Sequence, residues 1–428
     1  MTTLKAPPPN AAAPVPAAVQ GLPGVADAAG SAIGATERGW QAEVSEIEHP
    51  LAHSRYQSPL RYAGAKSSLS PVLARVLLAA KQSREVRSIR LLVEPFAGGA
   101  SASLRLVGDG VVDRILLADA DPLVAAFWQV AAADSGRLID RMRGEWSRYV
   151  SHGGSRAVAR WDHWRSWTPP RHMVAKERRL SSAVRCLFLN RTTFSGILHG
   201  RAGPIGGRSQ QTPYDIGCRW NPDAVEERIA FIGYLYGTGR LVDVWCKDWR
   251  ATLDDVPELY PQLLPSNVVA YLDPPYIDKS ALLYRISFDP AGGYRARASA
   301  ADSADLHLQL ASYLRRKAQF RWLLSYDAHE SLTTSRALYR ATRMNPSRID
   351  QLQLGVRRWT ISKRLVATRY SAGGRTGKRA AEELLLTTLP ASSIPTDDGL
   401  RPIAPPGERD HAADNADRTS FSGSSPNA

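Results

Sequence analysis

Residues Val268 to Leu272 form an unbroken apolar run that stops at Asp273-Pro274-Pro275-Tyr276. Neither proline can donate to a sheet ladder, so a strand over 268–272 has to end there. Its composition reads as a buried parallel strand. The tetrad therefore falls at a strand's carboxyl end, where open α/β sheets bind ligands. It also has chemistry of its own. The Asp273 carboxylate can accept a hydrogen from a planar amine, and the rigid turn offers the Pro274 carbonyl as a second acceptor. The Tyr276 ring can cover a flat base. An isolated Asp-Pro-Pro can equally be an ordinary turn, so the weight rests on what accompanies it.

A second strand-to-turn passage lies upstream. Ile89 to Val93 reads as a strand, Glu94-Pro95-Phe96 as its end, and Ala97-Gly98-Gly99-Ala100-Ser101 as a turn into a helix over 102–107. Glycines there let a ligand approach backbone N–H groups closely. The pattern is not GxGxxG and no Lys-Ser/Thr follows, which disfavours a phosphate-gripping loop. A nucleoside with a small charged tail suits it better. The next apolar run, Arg114 to Ala118, ends in Asp119-Ala120-Asp121-Pro122. A carboxylate after the second strand can accept both hydroxyls of a ribose, and Asp119 follows the run directly. The alternative is that Asp119 or Asp121 caps the helix beginning near Leu123. Further upstream, Arg61-Tyr62-Ala63-Gly64-Ala65-Lys66 precedes a helical pattern of Leu69, Val72, Leu73, Val76 and Leu77. An aromatic, a glycine and a lysine at that point can close over an adenosine and its charged tail.

Composition narrows the partners. Lys and Arg outnumber Asp and Glu by 55 to 41, a net charge of +14 that favours a polyanion. Cys186, Cys218 and Cys246 share no metal-ligand spacing, so no metal is expected. They read as buried small side chains in a reducing cytoplasm. No apolar run is long enough to span a membrane, and no secretion signal opens the chain. Residues 1–45 and 391–428 read as disordered tails, too poor in periodic apolar residues to offset their ordering entropy.

Taken together and in order, Tyr62-Ala63-Gly64-Ala65-Lys66, Glu94 to Ser101, and Asp273-Pro274-Pro275-Tyr276 resemble the signatures of the Dam-like, D12-class DNA adenine-N6 methyltransferases. Two further segments resemble the same family. Phe188-Leu189-Asn190-Arg191-Thr192-Thr193-Phe194-Ser195-Gly196 is similar to its Asn-Arg…aromatic…Gly segment, with Ser195 where Asn is usual. Val244 to Trp249 is similar to its strand ending in Asp-Phe, with Trp249 in place of Phe. Tyr62 likewise stands where tryptophan is usual.

The resemblance implies an α/β fold: a Rossmann-like class I S-adenosylmethionine-dependent methyltransferase sheet with an inserted, mainly helical target-recognition domain. It implies a methyltransferase domain over 50–129 and 246–390, interrupted by a DNA-binding insert over 130–245. The cofactor would be S-adenosyl-L-methionine. Tyr62 and Lys66 would line its pocket, Phe96, Ala97, Gly98, Gly99 and Ser101 would hold its methionine end, Asp119 its ribose, and Asp248 with Trp249 its adenine. Asp273, Pro274, Pro275 and Tyr276 would be catalytic. The substrate would be adenine in double-stranded DNA, flipped out of the stack to reach the methyl group. Cytosine-N4 methylation and a catalytically inactive DNA-binding protein are the alternatives. Two settings stay open, beside a cognate restriction endonuclease as a separate protein or acting alone.

Within the insert, residues 131–185 carry 12 Lys/Arg against 5 Asp/Glu, with Trp146, Trp161, Trp164 and Trp167 among them. The tryptophans read mainly as helical core. Arg156 and Arg160, with Arg165 and Arg171, are candidate phosphate contacts. Asn190, Arg191 and Phe194 open the DNA-reading part, and Arg208 and Gln210 are candidates for base edges. The glycine-rich stretch around Arg201 to Arg208 is expected to be a mobile loop. Phe320 to Asp327 reads as a further strand, whose Ser325 and Asp327 either orient the active-site loop or cap structure. A final hairpin is expected over 358–362 and 383–387, with basic Arg375, Lys378 and Arg379 at its turn.

Overall fold

A computed structural model describes residues 56–61, 68–86, 88–199, 202–275, 300–329, 332, 339, 359, 361–370, 379–397 and 399–403. Tyr62, Lys66, Tyr276, Arg375 and Lys378 lie outside these residues, as does the amino-terminal tail.

Helix α1 (Ser70–Lys81) precedes strand β1 (Leu91–Glu94), helix α2 (Ser101–Gly108) and strand β2 (Ile115–Asp119). A helical stretch follows: α3 (Pro122–Ala133), α4 (Ser135–Arg148), α5 (Gly154–Ser166), α6 (Ala175–Thr192) and α7 (Pro222–Gly237). The chain returns to the sheet at β3 (Leu241–Cys246), then continues through α8 (Trp249–Leu259), β4 (Val268–Leu272), α9 (Ala300–Arg316), β5 (Arg321–Asp327), β6 (Ser362–Tyr370), β7 (Arg379–Thr387) and β8 (Arg401–Pro402).

The sheet order is β3-β2-β1-β4-β5-β7-β6-β8. Strands β1 to β5 pair in parallel, and β7 enters antiparallel between β5 and β6. The chain order reverses between β1 and β4, so a crevice opens at their carboxyl ends. Register aligns those ends: Val93 lies opposite Leu116 of β2 and opposite Ala270 of β4. Glu94, Asp119 and Asp273 thus emerge on one edge of the molecule.

The strands are apolar on both faces, as a doubly covered parallel sheet requires. Leu92, Leu117, Val269 and Tyr271 join a core with α1, α2 and the helices between β2 and β3. Leu91, Val93, Leu116, Ala270 and Leu272 join another with Trp249 of α8 and Leu310 of α9. Helix α3 packs against α6, α7 and β3. Trp161, Trp164, Phe188 and Trp220 share the first core with Leu92, so the helical stretch is continuous with the sheet. Trp146 and Trp167 pack on that core while only partly buried. Because Leu241–Cys246 pairs with β2, the insert ends before Leu241 and not at 245.

Two further expectations are revised. Cys186 is buried, but Cys218 and Cys246 are exposed, the first on a loop before α7 and the second at the end of the edge strand β3. The carboxyl-terminal tail does not begin at 391. Ile394 and Leu400 are 5% and 0% exposed, β8 pairs with β6, and Asp397 meets Arg75 of α1 at 3.0 Å. Two apolar anchors and a strand pair suffice to order a segment otherwise rich in Ser, Pro and Asp.

Removing the Leu400 side chain should cost about 2–5 kcal/mol, as for other fully buried leucines. Urea unfolding of Leu400→Ala measures it, and a loss under about 0.5 kcal/mol, the scale of surface changes, would show that this segment contributes little.

Candidate active site

The turn after β1 is fixed by backbone contacts that its sequence permits. Gly98 has φ 44°, a left-handed conformation that glycine adopts without steric cost. Ala100 takes φ 46° as the residue before α2, at a cost on the order of 1 kcal/mol. Such strain gathers at ligand clamps. Ala97 N–H donates to the Ala118 carbonyl at 2.9 Å. Gly98 N–H donates to Asp119 Oδ2 and Asp121 N–H to Asp119 Oδ1, each at 2.8 Å. Trp128 Nε1–H holds the Gly98 carbonyl at 2.9 Å. No side chain caps the start of α2, so its first N–H groups remain available to an anionic group.

Asp119 and Asp121 divide the two roles left open for them. Asp121 Oδ1 accepts from Leu123 N–H at 2.9 Å and caps α3, with Pro122 next in the helix. Asp119 caps nothing and sits inside the turn. Farther along the edge, Asp248 caps α8 through Oδ1, which accepts from Arg250 and Ala251 N–H at 2.8 and 3.0 Å. The Trp249 ring is 2% exposed, with the Tyr313 ring edge-on at 5.2 Å, and Phe96 packs on the same core.

On the β4 side, Asp273 Oδ1 accepts a hydrogen bond from Ser325 Oγ of β5 at 3.1 Å. The Tyr271 hydroxyl lies 3.0 Å from the same Ser325 Oγ. Ser325 therefore orients Asp273 from the neighbouring strand. Behind it, His307 Nδ1 lies 2.7 Å from the Tyr326 hydroxyl, and burial pushes His307 down to about 4, so its ring is neutral.

Glu94 is the residue whose importance the sequence left unstated. It is 3% exposed, and its Oε2 has no hydrogen-bond partner. Burial pushes its carboxyl up to about 8 against hydrogen bonding from Ser103, and the charges of Asp273 and Asp119 add to the rise. Asp119 is raised to about 7, by burial first and then by Asp121, against the hydrogen bonds from Asp121 and Gly98. Three carboxyl groups thus converge where the strand order reverses. A cationic ligand would relieve their mutual repulsion, and a sulfonium carrying an α-ammonium has that charge. The glycine turn, the uncapped helix start, the Asp119 carboxyl and the unpartnered Glu94 oxygen suit S-adenosylmethionine.

The residues expected at DNA fall into two groups. Asn190 is fully buried, its Oδ1 accepting from Arg61 N–H at 2.5 Å and its Nδ2 donating to the Arg61 and Gly196 carbonyls at 2.6 and 3.1 Å. A side chain at Gly196, where φ is 73°, would collide with the Arg61 carbonyl. Arg191 is 7% exposed and donates to the Pro59 and Arg219 carbonyls. Burial lowers its guanidinium to about 9, with Arg228 and Arg61 adding to the effect. Both residues face inward from the last turn of α6 and hold the chain entering Tyr62. Their DNA-contact assignment is replaced by a positioning one.

Arg160 is also committed inside, bonded to the buried Glu145 through two nitrogens and lying over Tyr149 and Trp164 at 4.5 and 4.9 Å. Gln210, at φ 52°, donates to the Ile205 and Gly207 carbonyls and accepts from Ile216 N–H at 2.8 Å, so it shapes its loop instead of reaching out. That loop is tied back to the end of α6 by a Thr193–Pro204 bridge and by Ile205 N–H to the Thr192 carbonyl at 2.8 Å.

The second group faces solvent. Phe194 is 66% exposed, and Arg156 is exposed beside the Tyr149 ring. Arg208 is exposed and paired with Asp162 at 2.7 and 3.0 Å. An open groove of about 520 Å³ runs between Trp161, Asp162, Arg165 and Ser166 of α5 and Ala202, Gly203 and Arg208 of the loop. Trp161 and Arg165 are four apart and share a helix face, a spacing that separates Arg165 from Arg160.

The raised Glu94 carboxyl has a measurable consequence. Between its ordinary value of 4.5 and about 8, the folded chain keeps a proton that the unfolded chain has lost. Stability of the ligand-free protein should therefore fall as pH rises through that window. Glu94→Gln should flatten the slope between pH 6 and 8 in urea unfolding. An equally steep slope in the variant would remove Glu94 from the account.

Residues 62–202 match the family model described as D12 class N6 adenine-specific DNA methyltransferase. No curated protein matches the chain. Among solved structures, the rRNA methyltransferase aviRa from Streptomyces viridochromogenes is similar at 12% identity and a TM-score of 0.31, covering 81% of this chain and 97% of that one. Among the described residues no group of side chains could hold a metal ion, and no helix is long and apolar enough to cross a membrane. The match spans about a third of the chain and supports a relation to the D12 class of N6-adenine DNA methyltransferases, whose methyl donor is S-adenosylmethionine.

Proposed function

We propose that the crevice between β1 and β4 brings adenine N6 of a duplex site to the donor methyl, with Asp273 as the residue that directs the reaction. The supporting observation is the Ser325–Asp273 hydrogen bond, which fixes a carboxylate at the carboxyl end of β4 beside the donor turn. The exocyclic nitrogen is a poor nucleophile because its lone pair is delocalised into the ring. Asp273 and the Pro274 carbonyl accept its two hydrogens and favour a tetrahedral nitrogen. Its lone pair attacks the methyl carbon in line, the S–CH3 bond breaks to leave a neutral thioether, and the surplus amine proton passes to Asp273 or to water. Orientation and placed dipoles supply the rate gain, with no covalent enzyme intermediate. Tyr276 stacks on the flipped base, whose extrusion brings N6 within reach.

On the donor side, the Phe96 to Ser101 turn receives the methionine end, Asp119 the ribose, Asp248 and Trp249 the adenine, and Tyr62 with Lys66 closes the pocket. On the DNA side, the groove beside α5, with Arg208, Arg156 and the exposed Phe194, is the approach surface. The helical stretch between β2 and β3 is the target-recognition part. Arg208 exchanges Asp162 for a phosphate at little cost, because an exposed ion pair is worth under about 1 kcal/mol. The enzyme is a cytoplasmic, site-specific protein working on double-stranded DNA, beside a cognate restriction endonuclease or alone.

Mixed-sequence duplex DNA incubated with labelled donor and digested to nucleosides should yield N6-methyldeoxyadenosine. Asp273→Ala should lower the yield by at least about 100-fold, the scale of a lost orienting group, while donor binding persists. Labelled N4-methyldeoxycytidine would make the enzyme a cytosine methyltransferase. Full activity in the variant would remove Asp273 from the reaction.

The two arginine classes separate by experiment. Arg208→Ala and Arg156→Ala should weaken DNA binding at low salt and reduce its salt dependence by about one unit of slope each. Arg160→Ala should instead destabilise the fold by about 1–3 kcal/mol, because Glu145 is left buried without its cation. Equal salt slopes for all three variants would contradict the division.

A further inference from the structure

The DNA-side loop reaches the donor turn through one side chain that neither role above uses. His199 Nε2 lies 2.6 Å from Asp121 Oδ2. Both side chains are largely covered, at 25% and 11% exposure. The other Asp121 oxygen caps α3, and its backbone N–H is one of the two that hold Asp119. Asp119 in turn holds Gly98 N–H in the glycine turn. On its other flank, the loop is held by Arg165, which donates to the Leu198 carbonyl at 2.9 Å and lies over Trp161 at 5.2 Å. Arg185 of α6 braces the same corner by donating to the Arg165 carbonyl at 3.1 Å. A continuous set of contacts therefore runs from the groove wall, through Leu198 and His199, to Asp121, Asp119 and Gly98.

We propose that His199 is a positioning residue that couples occupancy of the DNA groove to occupancy of the methyl-donor pocket, by tying the loop that forms one wall of the groove to the carboxylate pair behind the donor turn. The inference rests on the placement of donor and DNA proposed above. A contiguous contact set is only a candidate route, and coupling has to be measured as a difference in affinity. Linkage makes that difference reciprocal: DNA that shifts the loop changes donor affinity by the factor with which donor changes DNA affinity. A histidine that merely anchored the loop would change both affinities without changing their mutual dependence.

S-adenosylhomocysteine, which cannot react, serves as the probe. Its dissociation constant is measured by calorimetry with the full chain, with and without saturating mixed-sequence duplex DNA. In the wild type, DNA should change it by at least about fivefold, the lower end of measured site-to-site coupling. In His199→Ala and in His199→Leu, which fills the space without a hydrogen bond, the ratio should fall to within about twofold of one. His199→Gln keeps an N–H at similar reach and should retain the coupling. A wild-type ratio of one, or an unchanged ratio in the Ala and Leu variants, overturns the proposal while leaving the pocket assignment standing. Failure of the wild type to bind S-adenosylhomocysteine at all overturns the pocket assignment and the coupling together.

Discussion

The Asp119 carboxylate accepts a backbone N–H on each side, from Gly98 before α2 and from Asp121 before α3. Those two bonds join the ends of β1 and β2 into one unit and fix the direction in which each following helix leaves the sheet. The Ala97–Ala118 and Trp128–Gly98 bonds hold the same turn from its other sides. The cost is a partly buried carboxyl raised to about 7 near a buried one raised to about 8. This end of the sheet is held ready for a positive charge before any ligand arrives, which is the sense in which the site is preorganised.

Much of this arrangement was legible in the residues. The apolar runs ending in Glu94, Asp119 and Asp273 gave three parallel strands, and the double proline gave the end of β4 without ambiguity. Ser325 also stands where its strand required, opposite Asp273. The arginines were less readable. Arg160 and Arg165 look alike in sequence, yet one sits on a buried glutamate and the other lines a groove, because helical phase and the distant position of Glu145 decide between them. Asn190 and Arg191 carry polar side chains in a segment that resembles a DNA-reading motif, and only tertiary packing turns them inward onto Arg61 and Pro59. His199 gave no local signal, since its partner is 78 residues away.

The same packing explains why a segment rich in Ser and Pro was misread at the carboxyl end. Disorder follows from a deficit of buried apolar surface over a window, but Ile394 and Leu400 place that surface at two points where α1 and β6 already offer a site. Composition averaged over a tail cannot register two well-placed anchors.

Trp161, Trp164, Phe188 and Trp220 belong to the same apolar core as Leu92 of β1. The helices between β2 and β3 are therefore not a detachable module, and exchanging them wholesale would open the core beneath the sheet. On the function proposed above, changes of sequence preference fall on residues 193–199 and 202–216, whose outward side chains can vary while Gly196, Gly206 and Gln210 preserve the path of the backbone. On that reading, diversification edits a surface strap and leaves the shared core beneath it unchanged.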